Sequence, residues 1–199
     1  MRTDAGCLFA AESALRAEAD DMLARSGIGP ILSSAGYHAA GSYVMRTMTW
    51  RDLDLEREGD ADLQSHWDVG TQLAQTGWLW RASYVDARGE EGVDRPPGLY
   101  WGLRLSDPSR PSPATVWKMD LWAFGPVQTR KLAAARSAWA SLMTEELRAE
   151  ILAIKRDVCV APEYRKTLFS VHVYEAVLEC GVRNTEVFWE WWRERIGTV

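Results

Sequence analysis

Cysteine, histidine, long apolar runs and excess positive charge are all scarce in this sequence. The three cysteines, Cys7, Cys159 and Cys180, are odd in number and lie far apart. They form neither a disulfide framework nor a zinc-thiolate spacing and read as free cytosolic thiols. His38, His66 and His172 are equally scattered, which argues against a zinc site. No apolar run approaches the length of a membrane span. The N-terminus lacks a basic segment leading into a long apolar core, so no signal peptide is expected and a cytoplasmic location is. The net charge of −5 argues against a protein whose main task is to coat nucleic acid, though it leaves room for a local basic groove. There is no internal repeat and no low-complexity tract.

What is present is a chain of 199 residues, 47% apolar. That suffices for one domain with a full core, or a compact domain with a helical appendage. Eleven tryptophans are many for this length. Several fall in strand-like runs, where a large ring most simply serves the core; an exposed cluster could instead stack on a ring-bearing substrate.

Helical spacing of Leu8, Ala11, Leu15, Ala19, Met22 and Leu23 predicts a helix over Cys7–Ser26, ended by Gly27-Ile28-Gly29-Pro30. A short strand is expected at Tyr37–Ala40, and a polar turn at Glu56–Asp60. A helix over Asp62–Gln75 would bury Leu63, Trp67, Val69, Leu73 and Ala74, leaving His66 at or near the surface. Ring and β-branched content predicts a strand over Trp78–Val85, followed by a charged loop from Ala87 to Gly98. Leu99–Leu105 alternates, with Leu99, Trp101, Leu103 and Leu105 on one face, and Ser106–Ala114 reads as an exposed hairpin connection.

Thr115–Phe124 alternates as well: Trp117, Met119, Leu121 and Ala123 share one face, Lys118, Asp120 and Trp122 the other. The rest is helical. Pro126 starts a helix with Leu132, Ala135, Trp139 and Leu142 on one side. Thr144 caps another, striped by Leu147, Ile151, Ile154 and Val158. Ala161-Pro162 opens a third that Gly181 closes, and Thr185 caps a last one carrying Phe188, Trp189 and Trp192. The organisation expected is an α/β part over residues 1–124 and a helical region over 125–199.

The chemistry concentrates between Gly41 and Leu55. Gly41-Ser42 follows the short strand; nine residues later comes Asp52-Leu53-Asp54-Leu55. On a strand, Asp52 and Asp54 project from the same face. Two carboxylates that close repel unless a cation sits between them, and oxygen-only ligation suits Mg²⁺. Glycine lets backbone N–H groups approach an anion, and serine adds a hydroxyl donor. An anion cradle beside metal carboxylates suits a nucleoside triphosphate. Asp120, mid-strand in an apolar run, needs a partner of its own, because unpaired burial of a carboxylate is costly. A salt bridge would serve; so would completing the Asp52/Asp54 site.

Ala40-Gly41-Ser42, Asp52-Leu53-Asp54-Leu55 and Met119-Asp120-Leu121, in that order, resemble the motifs of the polymerase-β-like nucleotidyltransferase superfamily. The resemblance is carried by residues 37–124. The helical part looks, less specifically, like the C-terminal bundle of small bacterial members of the antibiotic-modifying or minimal type. The fold implied is α/β (α+β), a mixed central sheet flanked by helices and followed by a helical bundle, with residues 1–124 as the catalytic domain.

The same resemblance implies that Asp52, Asp54 and Asp120 bind Mg²⁺ or Mn²⁺. Gly41 and Ser42 would hold the β- and γ-phosphates of an NTP, with ATP the expected donor. Asp120 would ligate a second ion or take the proton of an acceptor hydroxyl. The activity implied is transfer of a nucleoside monophosphate to a small molecule, an antibiotic or a metabolite. An antitoxin-like enzyme acting on a protein partner and a silent NTP-binding regulator are the alternatives. Neither a membrane nor a nucleic acid is an expected partner; a homodimer completing the acceptor site is one arrangement the resemblance allows. Lys118 reads as an ion-pair partner of Asp120. Lys155, Arg165, Lys166, Tyr164, Tyr174, His38 and His172 carry no assigned role.

Overall fold

A computed structural model describes residues 5–59, 61–89 and 96–197. Among them are eight α-helices and five strands in the order α1 (Ala5–Arg25), α2 (Ile28–Ser34), β1 (Tyr37–Ala39), α3 (Gly41–Met45), β2 (Asp52–Arg57), α4 (Leu63–Gln75), β3 (Leu79–Asp86), β4 (Leu99–Leu105), β5 (Trp117–Ala123), α5 (Pro126–Leu142), α6 (Glu145–Val158), α7 (Ser170–Leu178) and α8 (Thr185–Gly197), with a 3-10 turn at Pro113–Thr115 before β5. The expected turn ends outside the described residues at Asp60, as does the stretch 90–95 of the expected charged loop. The contacts define two compact units, one of residues 15–134 and one of residues 1–14 with 135–199.

The first unit is built on one mixed sheet of strand order β1-β2-β5-β4-β3. β2 and β5 run parallel; every other neighbouring pair is antiparallel. Alternation decides which face is dry. Leu53, Leu55, Leu103, Leu105, Met119 and Leu121 point to one side and are buried against Ala19 and Met22 of α1, Ile28 and Leu32 of α2, and Val69 and Leu73 of α4. Each such side chain contributes roughly 1.5–3 kcal/mol by leaving water. The residues between them, Asp52, Asp54, Lys118, Asp120, Trp122, Tyr100 and Arg104, share the opposite face and are part-buried. The two alternating strands expected at 99–105 and 115–124 are present with the expected dry faces, and the segment joining them connects an antiparallel pair.

Two details of this unit differ from expectation. The segment after Gly27 is a helix, because Gly27 (φ 71) reverses the chain and Ser26 Oγ accepts from the Ile28 N–H at 3.2 Å. In α4, Leu63 and Trp67 are exposed by 39% and 42%, and His66 is wholly buried with Val69 and Leu73. The helix is rotated from the expected stripe because His66 finds polar partners inside. Its Nδ1 lies 2.6 Å from the Tyr37 hydroxyl, and its carbonyl accepts from Trp101 Nε1 at 3.1 Å.

The second unit is helical. α6 has the expected cap, the Thr144 hydroxyl accepting from the Leu147 N–H, and buries Ile151, Ile154 and Val158. α5 starts at Pro126 but buries no residue. No helix opens at Ala161. Arg165 turns left-handed (φ 67), its N–H bonding to the Leu168 carbonyl, and α7 begins only at Ser170. There the His172 ring accepts from the Phe169 N–H at 3.1 Å. The cap of α8 is Asn184, whose Oδ1 accepts from the Val187 N–H, one residue before the expected Thr185. Phe188 and Trp192 are buried as expected.

Candidate active site

The parallel pairing of β2 with β5 assembles the site. Its register sets Asp52 beside Lys118 and Asp54 beside Asp120. Neighbouring strands are about 4.8 Å apart, so side chains in register on one face are within reach of each other. Asp52, Asp54 and Asp120 each offer a carboxylate oxygen, and these oxygens lie within 4.8 Å of one another. The three aspartates singled out in the sequence are thus brought together.

Gly41 closes the other side. Its φ of 56° is left-handed, and an added Cβ would overlap Asp54 Oδ2 and lie 3.1 Å from Asp54 Cγ. The Ala40 N–H donates to the Asp54 carbonyl at 2.8 Å, and the Thr47 N–H to the Ser42 carbonyl at 2.9 Å. The first bond holds the chain before Gly41 against β2, and the second closes the turn that contains the buried Ser42.

Lys118 Nζ donates to Asp52 Oδ1 at 2.7 Å and to Asp120 Oδ2 at 2.6 Å. The ammonium therefore sits between strands, bridging the first and third carboxylates. Burial alone would lower its pKa, but the negative charges of Asp52, Asp120 and Asp54 outweigh that and raise it well above the ordinary lysine value. The remaining oxygen of Asp120, Oδ1, accepts from the Tyr100 hydroxyl at 2.8 Å.

Tyr100 is the residue that the sequence reading overlooked. Its signal lay in the polar half of β4: the alternation that buries Leu99, Trp101 and Leu103 puts Tyr100 on the face of Asp120. Gly102, in register with Asp120, has no side chain to obstruct it. A Cβ there would lie 2.5 Å from the Tyr100 hydroxyl and 2.8 Å from Ser83 Oγ. Beyond Tyr100 the same face carries a ring row, Tyr100 to Trp122 at 4.6 Å and Trp122 to Phe124, stacked, at 5.2 Å.

Other residues noted in the sequence lie elsewhere. His38 pairs with Glu56 at 3.4 Å and with Glu58 at 3.9 Å, a second group of possible ligands but a largely exposed one. In the helical unit Lys155 is buried with its Nζ 3.4 Å from the Tyr174 hydroxyl, and the Tyr164 hydroxyl bonds Ser170 Oγ at 2.8 Å. Arg165 and Lys166 are exposed. His172 packs on Trp192, and burial lowers its pKa.

Three carboxylates on one part-buried sheet face, with Gly41 making room for that of Asp54, form a hard, oxygen-only donor set. Such a set fits Mg²⁺ or Mn²⁺. Solved structures of two enzymes share this fold. The Cid1 poly(U) polymerase in its MgGTP-bound form superposes with a TM-score of 0.55 and 16% identity, over 83% of this chain and 50% of that chain. A cytoplasmic RNA terminal U-transferase gives 0.54 and 15%, over 81% and 47%.

The fold is the nucleotidyltransferase fold. This chain spans about half the length of the structures it matches. No protein-family model and no curated protein matches it. No helix among the described residues is long and apolar enough to cross a membrane.

Proposed function

We propose that this chain is a metal-dependent nucleotidyltransferase that moves a nucleoside monophosphate from an NTP to a hydroxyl group of a small molecule. The observation that carries the reading is the convergence of Asp52, Asp54 and Asp120 on one sheet face, with Gly41 close against Asp54. Asp52 and Asp54 would hold Mg²⁺ or Mn²⁺, with Asp120 completing the carboxylate set. When bound, the metal would supply positive charge to the triphosphate and the departing pyrophosphate.

The chain's own residues do the rest. Gly41 leaves room for the Asp54 carboxylate, and the Gly41-Ser42 step would face the β- and γ-phosphates. Asp120 stands ready for the acceptor. The acceptor oxygen bonds to the α-phosphorus while the bond from that phosphorus to the β-bridging oxygen breaks. Pyrophosphate leaves with the electron pair, and the hydroxyl proton passes to Asp120 and on to water. Tyr100 and Lys118 fix the Asp120 carboxylate in direction, which spares reorganisation during the reaction.

An RNA end is a second acceptor class to test, because the structural neighbours are named as RNA-extending enzymes. The net charge of −5 favours the small molecule. The test is transfer from α-³²P-labelled NTPs in Mg²⁺ to a panel of hydroxylated antibiotics and metabolites, a short RNA, and a cell lysate. A labelled small-molecule product, reduced about a thousandfold or more in Asp54→Asn, is the expected result. A labelled protein in the lysate would move the assignment to a protein-modifying enzyme. No product with any acceptor, together with no NTP binding, would contradict the enzymatic reading.

A further inference from the structure

Lys118 is placed where a cation of the carboxylate site would stand. It is the second residue of β5, its backbone N–H tied to the Arg51 carbonyl at 3.0 Å. Across the sheet its register neighbours are Asp52 on one side and Arg104 on the other. Like charge on one side and opposite charge on the other steer the ammonium toward β2. It settles between Asp52 Oδ1 and Asp120 Oδ2, at 2.7 and 2.6 Å, with 18% of the side chain exposed. Asp120 is then engaged through both oxygens by donors of its own sheet, Lys118 on Oδ2 and Tyr100 on Oδ1. Gly102 is what allows the second of these, since a side chain there would collide with the Tyr100 hydroxyl.

We propose that the Lys118 ammonium replaces one of the two divalent ions such a carboxylate set would otherwise take. The site then uses a single divalent ion with its NTP. Asp120 serves to hold Lys118 and to face the acceptor, not to ligate metal. Each carboxylate oxygen has a second lone pair, so Asp120 keeps its capacity to accept the acceptor proton while bonded to Lys118 and Tyr100. A lysine supplies one positive charge without needing an open coordination position. It is also present before any substrate binds, bonded to two of the three neighbouring carboxylates.

The inference rests on the nucleotidyltransferase reading, and the experiment separates the two. Crystals of the full chain grown with Mn²⁺ and α,β-methylene-ATP are examined for anomalous manganese peaks. The wild type should show one peak per chain, with Lys118 Nζ still between Asp52 and Asp120. Lys118→Met should show two. In solution, Mn²⁺ titration followed by electron paramagnetic resonance should give tighter binding by Lys118→Met, on the order of tenfold or more, because a neighbouring positive charge has gone.

Lys118→Arg, which keeps the charge, should retain the wild-type count and covers the case in which Lys118→Met does not fold. Two peaks in the wild type, with Lys118 swung away, would overturn the substitution of lysine for metal and leave the enzyme reading standing. One peak in both wild type and a folded Lys118→Met would also overturn it. No manganese and no nucleotide in either protein would overturn both.

Discussion

At the scale of single residues, the site depends on what is missing as much as on what is present. Gly41 and Gly102 each leave room that another side chain uses, Asp54 in the first case and Tyr100 in the second. Gly41 also holds a left-handed backbone, and so does Gly27, around which nothing lies within 4 Å of an added Cβ. The pair separates backbone strain from crowding. Gly27→Ala should cost about 1–2 kcal/mol, the left-handed penalty for an L-residue. Gly41→Ala should cost more, because the Asp54 carboxylate must also move, and urea unfolding of the two variants measures the difference. Equal losses would mean that Asp54 yields freely and that Gly41 does not shape the site. The Gly-Ser pair and the three aspartates were legible in the sequence because their chemistry is in the side-chain types. Tyr100 was not: a tyrosine in an alternating strand gives no sign of which neighbour its hydroxyl will meet.

At the scale of elements, legibility follows how local the determining contacts are. β4 and β5 announced themselves through alternation, and α6 through Thr144, because those signals lie within a few residues. The pairing of β2 with β5 did not, since it joins distant segments in parallel register, and it is this pairing that puts Asp54 beside Asp120. The buried stripe of α4 departs from the sequence pattern for a similar reason. His66 could be buried only because Tyr37, on another element, supplies a hydroxyl to its ring. The ring's Nε2 is buried without a hydrogen-bond partner. Burial, and secondarily the charge of Arg57, lower its pKa from 6.5 to about 4.

This shift has a sign. The unfolded chain takes up the proton near the ordinary value of 6.5, and the folded chain resists until about 4. The stability that depends on neutral His66 is therefore complete above pH 6.5, falls between 6.5 and 4, and does not change below that. The loss is up to about 3 kcal/mol. His66→Gln should lack this component, so urea unfolding from pH 7.5 to 4 should cost the wild type more than the variant. Parallel pH profiles would show that α4 tolerates a charged ring.

At the scale of the whole molecule, one mixed sheet has one face filled by Leu, Met and Trp against helices and the other carrying the charged groups beside a row of rings. The division into a sheet-bearing unit and a helical unit leaves the three carboxylates, Gly41 and Lys118 all within residues 15–134. These groups thus belong to a single compact body. The acidic total of −5 makes a triphosphate an unfavourable guest without a cation to accompany it. That gives the most direct test of the account. Calorimetric titration of the full chain with each NTP should give binding in Mg²⁺, none in EDTA, and none in Asp52→Ala or Asp54→Ala proteins that remain folded. Failure of every NTP to bind in Mg²⁺, or equal binding by the wild type and Asp54→Ala, would contradict the assignment of this sheet face as a metal–nucleotide site.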